Sequence, residues 1–244
     1  MTTHFTAGVT NVKQATTMGG FGTMDPSKYH AWWDDFDDYV AAAWTVTETQ
    51  SAAAQAATSA DGGVLLLTNS TADDDVNGLQ WAGNSGATIE TFKWASTRKM
   101  WLKTRLKIDD ADKLFIAVGL AITDVEIEGG ITDGIYFRSS AAGDSSTIQF
   151  VTEKDSTEST GTITSSTADD TYIVLGAYYD AAGTWKVYAD DVEVGGGAIT
   201  STSNTPDDEE LAVTIHTRNG DAAANKLYVD YLMVAQERAA DPWS

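Results

Sequence analysis

The sequence predicts an all-β protein, an antiparallel sandwich or barrel, and three observations carry that prediction. From Trp44 onward, runs of β-branched and aromatic residues alternate with turns rich in Gly, Asp, Ser and Thr. No long helical period separates those runs. Hydrophobic residues make up 42% of the 244, too many for a disordered chain. Cysteine is absent, so the core has to hold without disulfides or thiolate metal sites.

The first thirty residues differ from the rest. They carry Lys13, Lys28 and Asp25, a net charge of +1, whereas the whole chain stands at −21, which leaves −22 for everything after them. They are rich in Thr, Gly and Met and show neither a period of 2 nor one of 3.6. The reading is an arm outside the core. It is either a floppy terminus or a segment that orders on a partner; Phe5, Val9, Val12, Met18, Phe21 and Met24 favour the second, because a purely solvated tail rarely carries so many apolar side chains. The division expected is an arm over residues 1–35 and one sandwich domain over 36–244. In the junction, Trp33, Phe36 and Val40 would share a helical face, but short strands around Phe36 fit equally well.

Strands are expected at 44–49, 63–69, 78–82, 87–94, 100–108, 115–122, 134–138, 147–154, 161–165, 172–179, 185–189, 192–194, 211–217 and 226–236. The Ala-rich stretch 51–58 is short and uncapped and reads as a loop or strand edge. In 100–108, Leu102, Thr104, Leu106 and Ile108 point to the core, and Trp101, Lys103, Arg105 and Lys107 point away. That outward set is a basic stripe in an acidic protein. It reads as a solvated face paired with acids on the neighbouring strand, or as a contact surface for an acidic partner such as another copy. Residues 172–179 are almost continuously apolar, which fits a central strand. Asp180 to Thr184 then makes one turn, and Asp190-Asp191 starts a second. No fixed-period repeat and no Pro/Ser linker divides the β region.

Ile173-Val174-Leu175-Gly176-Ala177-Tyr178-Tyr179-Asp180, the Gly183 turn and Trp185-Lys186-Val187-Tyr188-Ala189-Asp190 resemble the central hairpins of concanavalin A-like jelly rolls. Leu227-Tyr228-Val229-Asp230-Tyr231-Leu232-Met233-Val234 is similar to their closing strand. The resemblance spans roughly residues 36–238 and implies an antiparallel jelly-roll sandwich. Gly8-Val9-Thr10-Asn11-Val12, Asp25-Pro26-Ser27-Lys28-Tyr29-His30, Asp34-Asp35-Phe36-Asp37 and Trp44-Thr45-Val46-Thr47 resemble virion structural proteins of tailed bacteriophages of marine podovirus type. This second resemblance implies a capsid decoration or head-knob protein.

The jelly-roll resemblance also brings in laminarinase-type glycoside hydrolases, whose motif is Glu-x-Asp-x-(x)-Glu on one strand face. Asp124-Val125-Glu126-Ile127-Glu128 comes nearest, with the first two acids exchanged and Gly129-Gly130 following directly, so an acidic loop is the expectation and no catalytic residue is assigned. Asp73-Asp74-Asp75-Val76-Asn77-Gly78 matches the opening of a calcium loop, with Asp73, Asp75 and Asn77 as oxygen ligands. Its twelfth position is Asn84 in place of Glu, and the alternative is a solvated acidic turn. Structural Ca²⁺ is the one cofactor this pattern raises. His216 reads as a structural residue on a sheet face. Gly83-Asn84-Ser85-Gly86-Ala87 misses the nucleophile-elbow pattern, and no phosphate loop is present. Trp32, Trp33, Trp81, Trp94, Trp101 and Trp185 are the aromatics for sugar stacking, core or interface.

With 36 acidic residues against 15 basic ones, the surface repels phosphate backbones and anionic lipid, so neither nucleic acid nor membrane is an expected partner. No apolar run approaches the ~18 residues of a membrane span. The opening Met-Thr-Thr-His-Phe lacks the basic and apolar regions of a signal peptide. The expectation is a non-enzymatic protein of the virion surface. Its arm docks on a major capsid protein or another virion protein, and the chain forms a closed homo-oligomer, a trimer by the phage resemblance. The alternatives are a carbohydrate-binding module for host attachment and, behind it, a glycoside hydrolase.

Overall fold

Alternating inward and outward side chains build two sheets that face each other across one apolar layer. A computed structural model describes residues 28–58, 62–83, 85–124, 130–139, 147–164 and 167–239. Its strands are β1 (Tyr29–Asp34), β2 (Trp44–Glu48), β3 (Ala54–Thr58), β4 (Val64–Thr68), β5 (Val76–Trp81), β6 (Met100–Ile108), β7 (Leu114–Ala121) and β8 (Gly134–Ser139). They continue with β9 (Ile148–Lys154), β10 (Thr157–Thr164), β11 (Ile173–Tyr179), β12 (Trp185–Ala189), β13 (Val192–Glu193), β14 (Ala212–Asn219) and β15 (Lys226–Glu237).

An 8-stranded sheet runs β13-β12-β11-β6-β15-β4-β3, with β1 also on β15, and a 7-stranded sheet runs β10-β9-β8-β7-β14-β5-β2. Long crossovers place β15 beside β6 and β14 beside β7 and β5, so the architecture is the antiparallel jelly-roll sandwich expected from the sequence. The 12 residues of β15 let β4 pair with its first part and β1 with its last on the same edge.

Leu102, Leu106, Leu175, Val187, Leu227 and Val234 of the larger sheet meet Leu79, Ile116, Val118, Phe137, Phe150 and Ile215 of the smaller, all 1% exposed or less. Trp185 is the largest fully buried side chain, with ring centroids 5.2 Å from both Phe150 and Tyr179 and its indole N–H on Thr205 Oγ1 at 3.3 Å. At the centre of the smaller sheet, Gly119 has φ 153°, and a Cβ there would lie 2.6 Å from the Ile135 carbonyl oxygen. Only glycine lets β7 and β8 close at that point.

Several expectations are corrected in detail. The strand at 87–94 does not form. Ile89 N–H bonds the Trp81 carbonyl at 2.8 Å while Thr91 and Phe92 N–H both bond the Leu211 carbonyl at 3.1 Å, leaving a single Phe92–Leu211 bridge in place of a ladder. Of the two readings of 51–58, the strand edge is the one formed, as β3 on the edge of the larger sheet. In the junction a strand forms, not a helix. β1 pairs with β15 through six register positions from Tyr29–Glu237 to Asp34–Leu232. It ends where Asp34 Oδ1 accepts the Phe36 N–H at 2.8 Å and Phe36 takes φ 51°. The boundary placed after residue 35 therefore falls behind a strand that is part of the sheet. Phe5, Val9, Val12, Met18, Phe21 and Met24 lie outside the described residues.

Candidate functional site

The outward face of β6 carries the basic stripe, and the structure splits it. Lys103 Nζ lies 2.6 Å from Asp191 Oδ1 in the β12–β13 turn. Arg105 is ion-paired with Asp230, the residue at the register shift of β15. Lys107 Nζ lies 2.9 Å from Asp170 Oδ1 in the loop before β11, and that hydrogen bond is the main reason its pKa is raised. The aromatic rings of β11's approach and of β15 flank these bases. The Arg105 guanidinium sits 4.0 Å from the Tyr172 centroid, and Lys107 Nζ is 4.1 Å from that of Tyr228. The face is therefore neutralised locally inside a chain of net charge −21.

Trp101 does not join that surface. It is 4% exposed and belongs to an aromatic cluster with Tyr178, Tyr188 and Ala235. Addition of β1 covers it: Ala31 pairs with Ala235, Ala235 with Trp101, and the Tyr29 ring lies edge-on at 5.6 Å. Sequence alternation placed Trp101 on the correct face but could not show that another strand would close over it. Of the other tryptophans, Trp185 and Trp94 are buried, and Trp32, Trp44 and Trp81 pack edge-to-face at 5.2–5.9 Å. Among the described tryptophans Trp33 is the exception, 58% exposed beside Met233, which in turn pairs with Lys103. Trp33, Met233, Tyr231, Arg105 and Tyr172 thus share one open sheet face, and Trp, Tyr, Arg and Met are the residue types that concentrate in contact cores.

The half calcium loop is a hydrogen-bonded corner. Asp75 is 1% exposed; its Oδ1 accepts from Thr49 Oγ1 at 2.9 Å and its Oδ2 from the Ser70 N–H at 2.6 Å. Asn77 is fully buried, with Nδ2 donating to the Ala54 and Thr68 carbonyls at 3.2 Å and Oδ1 accepting from Gln55 Nε2 at 2.7 Å. Asp73 stays exposed and accepts the Asp74 N–H, while Asp74 pairs with Arg218 at 2.8 Å. Each Asp75 oxygen and Asn77 Oδ1 thus accepts a protein donor, whereas Asp73 stays at the surface, and among the described residues no three His, Cys, Asp or Glu side chains gather to hold a metal.

Of the acidic segment 124–128, Asp124 is described, its N–H on Gln80 Oε1 at 3.1 Å; Glu126 and Glu128 lie outside the described residues. A different carboxylate cluster sits on the outer face of the smaller sheet. Glu153 accepts the Tyr136 hydroxyl at 2.8 Å, and Arg138 grips Glu158 through both terminal nitrogens. Burial, ahead of all else, raises the Glu153 pKa, opposed by the Tyr136 hydrogen bond. The same burial raises that of Tyr136. Sequence reasoning passed over this cluster. Alternation in Gly134–Ser139 and Ile148–Lys154 does put Tyr136, Arg138, Gln149 and Glu153 on one face, but only the register makes them neighbours. Both carboxylates are engaged by a donor. His216, across Ala117 from Arg138, is fully buried with no polar partner among the described residues, and desolvation lowers its pKa to about 3, which favours the neutral imidazole.

No family model matches the sequence, and no curated protein matches it. Solved structures do resemble it in fold. A protein of unknown function from Shewanella oneidensis superposes with a TM-score of 0.59 at 13% identity, covering 91% of this chain and 98% of the other. An endo-1,3-beta-glucanase from Streptomyces sioyaensis gives 0.54 at 13% identity, covering 88% and 98%. Peanut lectin gives 0.53 at 11% identity, covering 87% and 99%. At such identities the likeness is one of fold, and that fold is the concanavalin A-like jelly-roll sandwich.

Proposed function

We propose that this chain is a non-catalytic structural protein of a tailed-bacteriophage virion, a decoration or head-knob protein that anchors through its leading residues. The observation that carries this reading is β1. The six pairs it makes with β15, from Tyr29 to Asp34, and the Arg238 N–H on the Lys28 carbonyl at 2.7 Å tie the start of the described chain to the longest strand of the sandwich, so whatever grips residues 1–27 grips the whole domain. Trp33 stands exposed on that same strand and extends the contact surface past the leading residues. Repeated around a closed homo-oligomer, modest contacts of this kind add up to avidity.

The test compares the full chain with one lacking residues 1–27 for incorporation into capsids assembled from the major capsid protein. The truncated chain should stay folded by circular dichroism and fail to copurify with particles. Copurification at the full-length level would refute the anchor. A second reading, a carbohydrate-binding module, is favoured by Trp33, since an exposed indole on an open sheet face can stack a sugar ring. Binding on a glycan array that is lost in Trp33→Ala would favour it.

A further inference from the structure

A sheet edge presents unpaired backbone N–H and C=O groups, and folded chains blunt it with charge, brevity, a bulge or a covering loop. Among the described residues, every sheet edge but one carries such a device. β13 has two residues and follows Asp190-Asp191. β10 shifts register between Thr162 and Thr164, and Asn204 Nδ2 donates to its Glu158 carbonyl at 3.0 Å. β1 ends on Asp34, and its Tyr29 carbonyl accepts from Arg238 Nε at 3.1 Å. β2 ends on Glu48.

β3 carries none of these. Ala54-Gln55-Ala56-Ala57-Thr58 has no charge, no proline and no glycine, and its five pairs with β4 run without a register shift. Its one strand partner among the described residues is β4. No residue from Thr49 to Ala60 is charged, in a chain of net charge −21. The strand is also held firmly. Gln55 Nε2 donates to Asn77 Oδ1 at 2.7 Å and to Glu48 Oε1 at 2.6 Å, and Asn77 Nδ2 donates to the Ala54 carbonyl at 3.2 Å, which fixes β3 to the smaller sheet. Ala54 and Ala56 stay exposed.

We propose that β3 pairs antiparallel with β3 of a second copy and joins the two larger sheets across a twofold axis. A register centred on Ala56 sets Ala54 opposite Thr58, Gln55 opposite Ala57 and Ala56 opposite itself, so the strand matches its own copy over its whole length. Such small side chains fit the Cβ spacing of about 4.5–5.5 Å between opposite residues, and no like charges meet. One isologous contact closes both open edges, whereas most of the surface of a −21 chain repels its copy. The contact closes as a dimer, where the phage resemblance implied a trimer. It uses none of residues 1–27 and does not rest on the virion reading.

The experiment is sedimentation velocity of the full chain over rising concentration, with the fold of each variant checked by circular dichroism. One short strand pair is a small interface, so a Kd on the order of 100 µM is expected, with the mass rising toward twice that of the monomer. Ala56→Lys and Ala56→Glu each set like charges opposite each other and should weaken the dimer about fivefold or more. An equimolar mixture of the two should restore it, which a general loss of structure would not allow. Ala56→Ser should associate like the wild type, and so should a chain lacking residues 1–27, whatever becomes of its capsid incorporation. A wild type that stays monomeric at the highest concentration, a trimeric mass, an assembly indifferent to both charged variants, a mixture that does not associate, or a dimer seen only after residues 1–27 are removed would each overturn the proposal.

Discussion

Asp75 gives the sharpest test of whether the 73–78 segment holds a cation or a corner of the fold. Its carboxylate accepts from Thr49 Oγ1 at 2.9 Å and Ser70 N–H at 2.6 Å, and its own carbonyl accepts from Asn69 Nδ2 at 2.8 Å and the Asn219 N–H at 2.9 Å. Hydrogen bonds to a charged group contribute about 1.5–3 kcal/mol each, and a buried donor left unmet adds its own desolvation penalty. Asp75→Ala removes both side-chain bonds at a site 1% exposed, so the expected loss is about 3–5 kcal/mol. Asp75→Asn keeps one acceptor and turns an N–H toward one of the two donors, for a loss of about 2–3 kcal/mol. For a domain of this size each kcal/mol moves Tm by about 2–4 °C, so Asp75→Ala should melt on the order of 10 °C lower. Urea titration with the m-value held as a control measures the change, with and without Ca²⁺ and EDTA. The expected result is a destabilised variant and a wild type indifferent to chelation. An Asp75→Ala chain within about 1 kcal/mol of wild type, or a wild type that EDTA destabilises, would refute the reasoning.

Two further perturbations have defined outcomes. His216 has a folded pKa of about 3 against the ordinary histidine value of 6.5, so the unfolded chain binds a proton that the folded chain refuses between those values. Stability from this group is therefore lost as pH falls below 6.5, by about 1.4 kcal/mol per unit, and His216→Leu should lose about 2 kcal/mol less than wild type between pH 7 and 5. Parallel pH profiles of the two chains would contradict that assignment. Gly119→Ala places a Cβ 2.6 Å from the Ile135 carbonyl and should cost at least about 2 kcal/mol in the same urea assay, whereas unchanged stability would show that β7 and β8 can separate there.

The fold was legible where one rule decided it. In β6 the alternation of Leu102, Thr104, Leu106 and Ile108 with Lys103, Arg105 and Lys107 needs no partner to be read, and the structure keeps it. It was less legible where partners decide. Residues 29–34 form a strand because β15 is long enough to offer an unpaired upper edge, which no local pattern in Tyr-His-Ala-Trp-Trp-Asp announces. The segment 87–94 has the composition of a strand but divides its backbone bonds between Trp81 and Leu211. β10 begins earlier than its turn signals suggest. Asp155 and Ser156 make the tight hairpin with φ 50° and 60° and no glycine to mark it. The site was hard to read for the same reason. The spacing of Asp73, Asp75 and Asn77 fits a cation loop, but it does not announce the bonds that Thr49 and Ser70 make to Asp75, or those of Gln55 and Thr68 to Asn77, from three other places in the chain.

Charge then restricts where a partner can approach. A chain of −21 repels a like chain or a polyanion over most of its surface, with a reach of about 8 Å at physiological salt. One place escapes that field by local pairing. On the outer face of the larger sheet, Lys103, Arg105 and Lys107 are matched one to one by Asp191, Asp230 and Asp170, so the face offers Trp33, Tyr231 and Met233 with little local charge. Screening by salt eases the approach of another acidic chain to that face. The pairing rests on fixed ion pairs between β6 and its neighbours, so it needs no moving part.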